Sequence, residues 1–358
     1  MIRGSYSTVS IGKQVGLSIV EIMIALLLGA LLTVGLVQVF TSNSQSFRVN
    51  EATARAQESG RMSVDMLARA LRNAGYFGCF PVNGIVNNLN TDDDDYEAAL
   101  HEFRMEGIFS ESASRPAQAV GGTDWFLVSG LRSGGVNLQS TGQINSASFT
   151  INQRGDLAVG DEIMVSDCNN GDIFEISNIQ QGGGNGVSVN VVANSGNGEP
   201  GNDFSGNAPA GCNNASNCLS AIYPAGAQVL IPYNEIYFIG AGNNGNRALF
   251  SINSRTNPGV AVELVDGVED MAVRYGTGTT ENGVTGWQTD ADLISDWSSV
   301  IAVEISLLVR SGADNLFDQA INACFPSWTD CSGGNNYTAP NNGLYRVYSF
   351  TTALRNRI

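Results

Sequence analysis

Leu17–Phe40 reads LSIVEIMIALLLGALLTVGLVQVF, 24 residues with a single charge, Glu21. As a helix it rises roughly 36 Å, enough to cross a hydrocarbon core of about 30 Å. The residues before it are short and polar and carry two cations, Arg3 and Lys13, with no acid. The first cation after it, Arg48, is soon followed by Glu51. That bias puts the N-terminus in the cytoplasm and the rest of the chain outside it. A cleavable secretory signal is the competing reading, but it would have a shorter apolar core ending in a small-x-small site. Gly29 and Gly35 do not form one. Glu21 is the informative residue. A carboxylate at membrane depth costs about 2.5–3.5 kcal/mol, so an intramembrane acid is a functional candidate unless it snorkels to the interface.

Downstream, no proline occurs before Pro81, and Thr41–Ala74 keeps helical spacing, with Met62, Met66 and Ala70 on one line and Leu67, Leu71 and Ala74 beside it. Gly75 is a terminator. One helix over 17–75 is expected, apolar all round in its first part and one-faced in its second. From Tyr76 the period becomes two. Val300–Arg310, VIAVEISLLVR, alternates cleanly, as do Met271, Val273 and Tyr275. Leu344–Thr352, Trp125–Val128, Glu162–Ser166, Ile173–Ser177 and Val187–Val192 are further strand candidates. Strands in succession with few helices between them predict an α+β fold, an antiparallel sheet packed on the end of the long helix. Gln181–Gly186 and Asn194–Asn217, rich in Gly and Asn, read as surface insertions.

The chain has 358 residues, 18 Lys+Arg against 34 Asp+Glu, and a formal charge of −16. That charge argues against nucleic-acid binding. One histidine, His101, leaves no multi-His metal site and disfavours Ser-His-Asp or Cys-His chemistry, so no catalytic, cofactor or metal residues are assigned and the chain is read as no enzyme. His101 itself reads as an ordinary surface residue. Asp92–Asp95 offers hard oxygen ligands for calcium but lacks the spaced D-x-D-x-D-G pattern, so a solvated loop is the reading taken. The six cysteines, Cys79, Cys168, Cys212, Cys218, Cys324 and Cys331, are even in number and lack C-x-x-C spacing. Disulfides in an oxidising compartment are expected rather than zinc. Six cysteines admit 15 connectivities. Spacing suggests two local loops, Cys212–Cys218 and Cys324–Cys331, which leaves Cys79 for Cys168.

Lys13–Glu21, KQVGLSIVE, resembles the class III signal of type IV pilins and type II secretion pseudopilins. The resemblance implies a leader over 1–16, cut after Gly16 by a membrane prepilin peptidase, then N-methylation of Leu17. The usual first residue is Phe, so Leu17 departs slightly while staying apolar. The apolar run is retained, spanning the membrane over about 17–40, and 76–358 forms a β-rich head outside the cytoplasm. Cleavage would free an α-amine of reference pKa about 8. Paired with Glu21 of a neighbouring subunit, it would leave neither charge stranded in an apolar setting.

Four further blocks resemble the PilW family of large minor pilins: GDEIMVSDCNNGDIFEIS (Gly160–Ser177), LVDGVEDMAVRYG (Leu264–Gly276), VEISLLVRS (Val303–Ser311) and YRVYSFTTALRNR (Tyr345–Arg357). What this implies is a structural subunit of a type IV pilus, active in assembly initiation and in the tip complex. Its partners would be the prepilin peptidase, other minor pilins, the major pilin and a large tip adhesin. It would sit in the inner membrane before assembly and at the pilus tip afterwards. A J-like pseudopilin of type II secretion shares the N-terminus. An adhesin using the Gly/Asn-rich loops is a more distant alternative, because the sequence shows no convergent aromatic-polar cluster.

Overall fold

The computed structural model describes residues 16, 18–79, 84–142, 147–181, 189–192, 200–205, 211–213, 218–255 and 258–356. The strand expected to begin at Val187 is described from Val189. Most of both Gly/Asn-rich insertions, including 182–186 and 194–199, lies outside the described residues. The chain divides into two units, Met1–Ala52 and Thr53–Ile358.

Helix α1 is Ile19–Asn73, 55 residues. It is followed by β1 (Ile85–Asn87), the single-turn helix α2 (Ala98–His101), β2 (Ile108–Phe109), β3 (Trp125–Asn137), β4 (Ser148–Ile151), β5 (Glu162–Ser166), β6 (Gly171–Glu175), β7 (Asn178–Gln181) and β8 (Val189–Val192). Then come β9 (Gln228–Ala241), β10 (Arg247–Asn253), β11 (Val262–Asp266), β12 (Val268–Thr279), β13 (Gly283–Gln288), β14 (Val300–Arg310), β15 (Asn322–Ala323), β16 (Tyr337–Thr338) and β17 (Tyr345–Ala353). The fold is α+β, as expected. The single antiparallel sheet of the sequence reading is instead an eight-stranded sheet, a four-stranded sheet in the order β13-β12-β14-β17, and two small ones. The large sheet is mixed, because β1 runs parallel to β6.

The last part of α1 belongs to the second unit, and its one-faced pattern is used as the spacing predicts. Leu67 and Leu71 are fully buried and Ala74 nearly so. They share a core with Phe126, Val128 and Ile239 of the large sheet and Val273, Ile305 and Leu307 of the four-stranded sheet. The helix approaches so closely that a Cβ on Gly60 would lie 2.4 Å from the Tyr348 ring. It ends where expected. Gly75 takes φ +67 and donates its N–H to the Ser129 carbonyl at 2.9 Å. Gly107 is crowded against this turn: a Cβ there would stand 2.3 Å from the Gly75 nitrogen.

Strand β9 is the spine of the large sheet. It pairs with β3 along one edge, and on the other with β5 over Leu230–Gln228 and with β10 over Glu235–Ala241. Sequence reading missed it because Pro232 interrupts it, and a proline inside a run argues against a central strand. The register resolves the conflict. Pro232 faces Leu131, whose N–H is donated away from β9, to the Tyr76 carbonyl. Facing residues of an antiparallel pair turn their backbone polar groups the same way relative to the pair. The proline nitrogen therefore points to the opposite edge, into the interval between β5 and β10, where no strand needs an N–H. That interval is filled by side chains: Ser254 Oγ accepts the Asn234 N–H at 3.0 Å, and Asn234 Nδ2 donates to the Leu100 and Glu102 carbonyls.

A second buried cluster, including Phe149, Phe174, Phe204 and Tyr223, carries the middle of the chain. Its polar pin is Asp172. This buried carboxylate accepts from Asn88 Nδ2, from Ser220 N–H and Oγ, and from the Tyr223 hydroxyl at 2.5 Å. Burial, and then the neighbouring charge of Asp172, push the Tyr223 phenol upward.

Candidate assembly segment

Ile19–Phe40 is rich in Leu, Ile, Ala and Met with no proline, and helix is the state that satisfies its backbone in an apolar surround. The first bond runs from the Ile22 N–H to the Ser18 carbonyl at 3.1 Å, so Ser18 holds the N-cap position. Glu21 is then the third helical residue, in the first turn. S-x-x-E at these positions is the pattern of a capping box. A carboxylate there also faces the positive end of the helix dipole. Glu21 thus occupies a capping-box position that sequence reading overlooked, readable from its spacing to Ser18. Glu21 is also exposed.

Every described residue from Ser18 to Phe40 is exposed, including Ile19 at 78% and Leu32 at 76%. The helix is long and apolar enough to cross a membrane. Gly29 and Gly35 do not interrupt it, and a Cβ on either would meet nothing within 4 Å. Thr33 Oγ1 folds back onto the Gly29 carbonyl at 2.7 Å. Of the proposed cleavage junction, Gly16 is exposed and Leu17 lies outside the described residues.

In the second unit the cysteines pair as Cys79–Cys168, Cys212–Cys218 and Cys324–Cys331, with sequence separations of 89, 6 and 7. The first bond ties the chain just after α1 to the turn between β5 and β6, far apart in sequence. Asp92–Asp95 forms turns capped by side chains, Asn90 Oδ1 accepting from Asp92 N–H and Asp93 Oδ1 from Asp95 N–H. Among the described residues, no group of three or more His, Cys, Asp or Glu is arranged to hold a metal ion.

His101 corrects the surface-residue expectation. Its side chain is only 12% exposed, and Nδ1 lies 2.5 Å from Glu162 Oε1. The cause is α2, which places the imidazole over the start of β5, 61 residues away in sequence. The pair lines a cavity of about 380 Å³ together with a second ion pair, Arg255 to Asp161 at 3.1 Å. Two other carboxyls have shifted titrations. Burial pushes Asp270 up to about 6, against the Met271 N–H and Arg247, which favour its charged form. Burial also raises Asp124, opposed by the Val273 N–H donated to it at 2.8 Å.

Residues 236–356 match the family model of Type IV Pilus-assembly protein W. The matched segment, about a third of the chain, runs from within β9 to just past β17. No curated protein sequence matches the chain. Among solved structures, a type IV-like pilin from Thermus thermophilus is similar at 20% identity, over 35% of this chain and 66% of that one, with a TM-score of 0.20. The chain thus spans just under two thirds of that pilin's length.

Proposed function

We propose that this chain, whose residues 236–356 match the model of Type IV Pilus-assembly protein W, is a minor pilin of that family acting in pilus initiation and the tip complex. The observation that carries the reading is the combination of this β-rich unit with an uninterrupted helix whose apolar first part is exposed and bears one carboxylate in its first turn. A helix that is apolar on all sides requires lipid or other apolar helices around it. A pilus subunit needs both in succession, the membrane before assembly and its neighbours afterwards.

In this reading the prepilin peptidase cuts after Gly16 and Leu17 is N-methylated. Residues 17–75 form the helix, crossing the inner membrane once over about 17–40 with the N-terminus cytoplasmic. Residues 76–358 form the exported head, where the three disulfides suit an oxidising compartment. The new α-amine of one subunit pairs with Glu21 of the next, setting register in the helical bundle. Loss of the leader leaves 16 cations against 34 acids, a formal charge of −18. That favours partners with basic patches among the other minor pilins, the major pilin and the tip adhesin.

The test is the mass and N-terminal sequence of the protein from sheared surface filaments. A start at N-methyl-leucine 17 is expected. A start near or beyond Phe40 would remove the helix and the role of Glu21 together. In cells, Glu21→Val should reach the membrane yet drop out of filaments; full incorporation of this variant contradicts the register role. Secretion failure with normal piliation on deletion of the protein would assign it to type II secretion instead.

A further inference from the structure

The outer face of the four-stranded sheet is divided. Toward one end, Leu308, Ala272 and Val347 are covered by Phe325, Ala339 and Tyr337 from the excursion between β14 and β17. Toward the other end the cross-strand rows are Trp287–Gly276–Ala302–Ala353 and Arg274–Glu304–Thr351. Val284 packs over Gly276, 3.1 Å from where a Cβ would stand, and Ala302 is buried, so Val284 and the indole surface a shelf here. Trp287 is 39% exposed at the rim, and Thr351 and Ala353 are also exposed.

The polar groups of this shelf are fixed. Glu304 Oε2 accepts from Arg274 Nε at 3.0 Å and from Nη2 at 2.7 Å. The same guanidinium lies 4.6 Å from the Trp287 ring centre and 4.9 Å from that of Trp328. Trp328 is itself carried by the Cys324–Cys331 loop, anchored where the Ser327 N–H donates to Ser306 Oγ at 3.0 Å. Two indoles, an arginine and a glutamate are thus joined by a disulfide loop, a two-pronged ion pair and two cation–π contacts.

We propose that this shelf is a binding site for a neutral saccharide. A sugar ring would lie with its C–H face on the exposed indole of Trp287, and its hydroxyls would reach the remaining Arg274 donors, the Glu304 carboxylate and the Thr351 hydroxyl. The chemistry selects this class. A flat aromatic surface next to a few convergent donors and acceptors, held rigid before binding, suits a ligand apolar on one face and polar at its edges. The ion pair is internally neutral, so a charged ligand would have to break it. A purely apolar partner would strand it without water.

The experiment uses the full chain in detergent and a panel of cellotetraose, chitotriose and N-acetyllactosamine, read by tryptophan fluorescence and saturation-transfer NMR. At least one is expected to bind with Kd of about 1 mM or tighter. Trp287→Ala should weaken that binding by about tenfold or more, Trp287→Phe by less, and Arg274→Lys should weaken it through loss of the two-pronged geometry. Trp287 lies at an exposed sheet edge, and an unchanged thermal transition of the alanine variant confirms folding. Absence of binding to all three sugars overturns the proposal, as does equal binding by a folded Trp287→Ala. Because this site is remote in sequence from Glu21, Trp287→Ala should still enter filaments. If it is excluded from them while binding sugar normally, the shelf is a subunit contact and not a saccharide site.

Discussion

The two parts of α1 are one continuous helix under opposite demands. Between Ile19 and Phe40 nearly every large side chain is apolar and all are exposed. Between Thr53 and Asn73 the apolar residues fall on one side, and Leu67 and Leu71 are completely buried. The second part finds its solvent within its own chain, in the core it shares with both large sheets. The first part has no such core, so its stability depends on what surrounds it. The same contrast applies to the glycines. Gly60 is needed because the Tyr348 ring occupies the place of its side chain, whereas Gly29 and Gly35 face open space.

Leucine truncation gives the largest contrast. Leu71→Ala should destabilise the second unit by about 2–5 kcal/mol, the range for a buried leucine. Leu32→Ala should leave its thermal transition unchanged and act only on membrane retention or assembly. Equal effects on melting would erase the distinction. The glycine pair comes next. Gly60→Ala should destabilise by about 1–3 kcal/mol, since the Tyr348 ring must move. Gly29→Ala should raise helix stability by roughly 0.5–1 kcal/mol, because alanine is the better helix former. Denaturation of both variants in detergent checks the pair.

The smallest contrast is with pH. Asp270 sits at about 6 in the folded protein, above its ordinary value near 4, and Asp124 is shifted the same way. Protonation therefore favours the folded state. This contribution is full below about pH 4 and is lost as pH rises through 6. Stability of the second unit should increase by on the order of 1–2 kcal/mol between pH 7 and pH 4.5, allowing for partial solvation of Asp270. Asp270→Asn should flatten that slope. A slope of the opposite sign, or one unaffected by Asp270→Asn, would remove burial of these carboxyls as its cause.

What could be read in the sequence follows from how local each signal is. The apolar run, the Gly75 stop and the alternation of β14 are properties of neighbouring residues, and β14 begins and ends where its pattern does. The local cysteine loops are legible for the same reason. Strand β9 was hidden because Pro232 is acceptable only where β5 has ended and β10 has not begun, a fact of register. His101 and Glu162 are 61 residues apart, and Arg274, Trp287 and Trp328 come from three different segments. Only strand pairing and a disulfide loop bring such groups together, so no spacing rule announces them. The capping position of Glu21 was legible and was masked by the stronger signal of its placement in an apolar helix.

Pro232 has one further consequence. By ending the pairing of β5 before that of β10 begins, it divides one edge of the spine into two independent seats. Strand β5, with β6 beside it, takes one seat, and β10, in the family-matched part of the chain, takes the other. Residues can be gained or lost in the first without shifting the register of the second. The Gly/Asn-rich insertions can therefore change in length without moving the strands of residues 236–356.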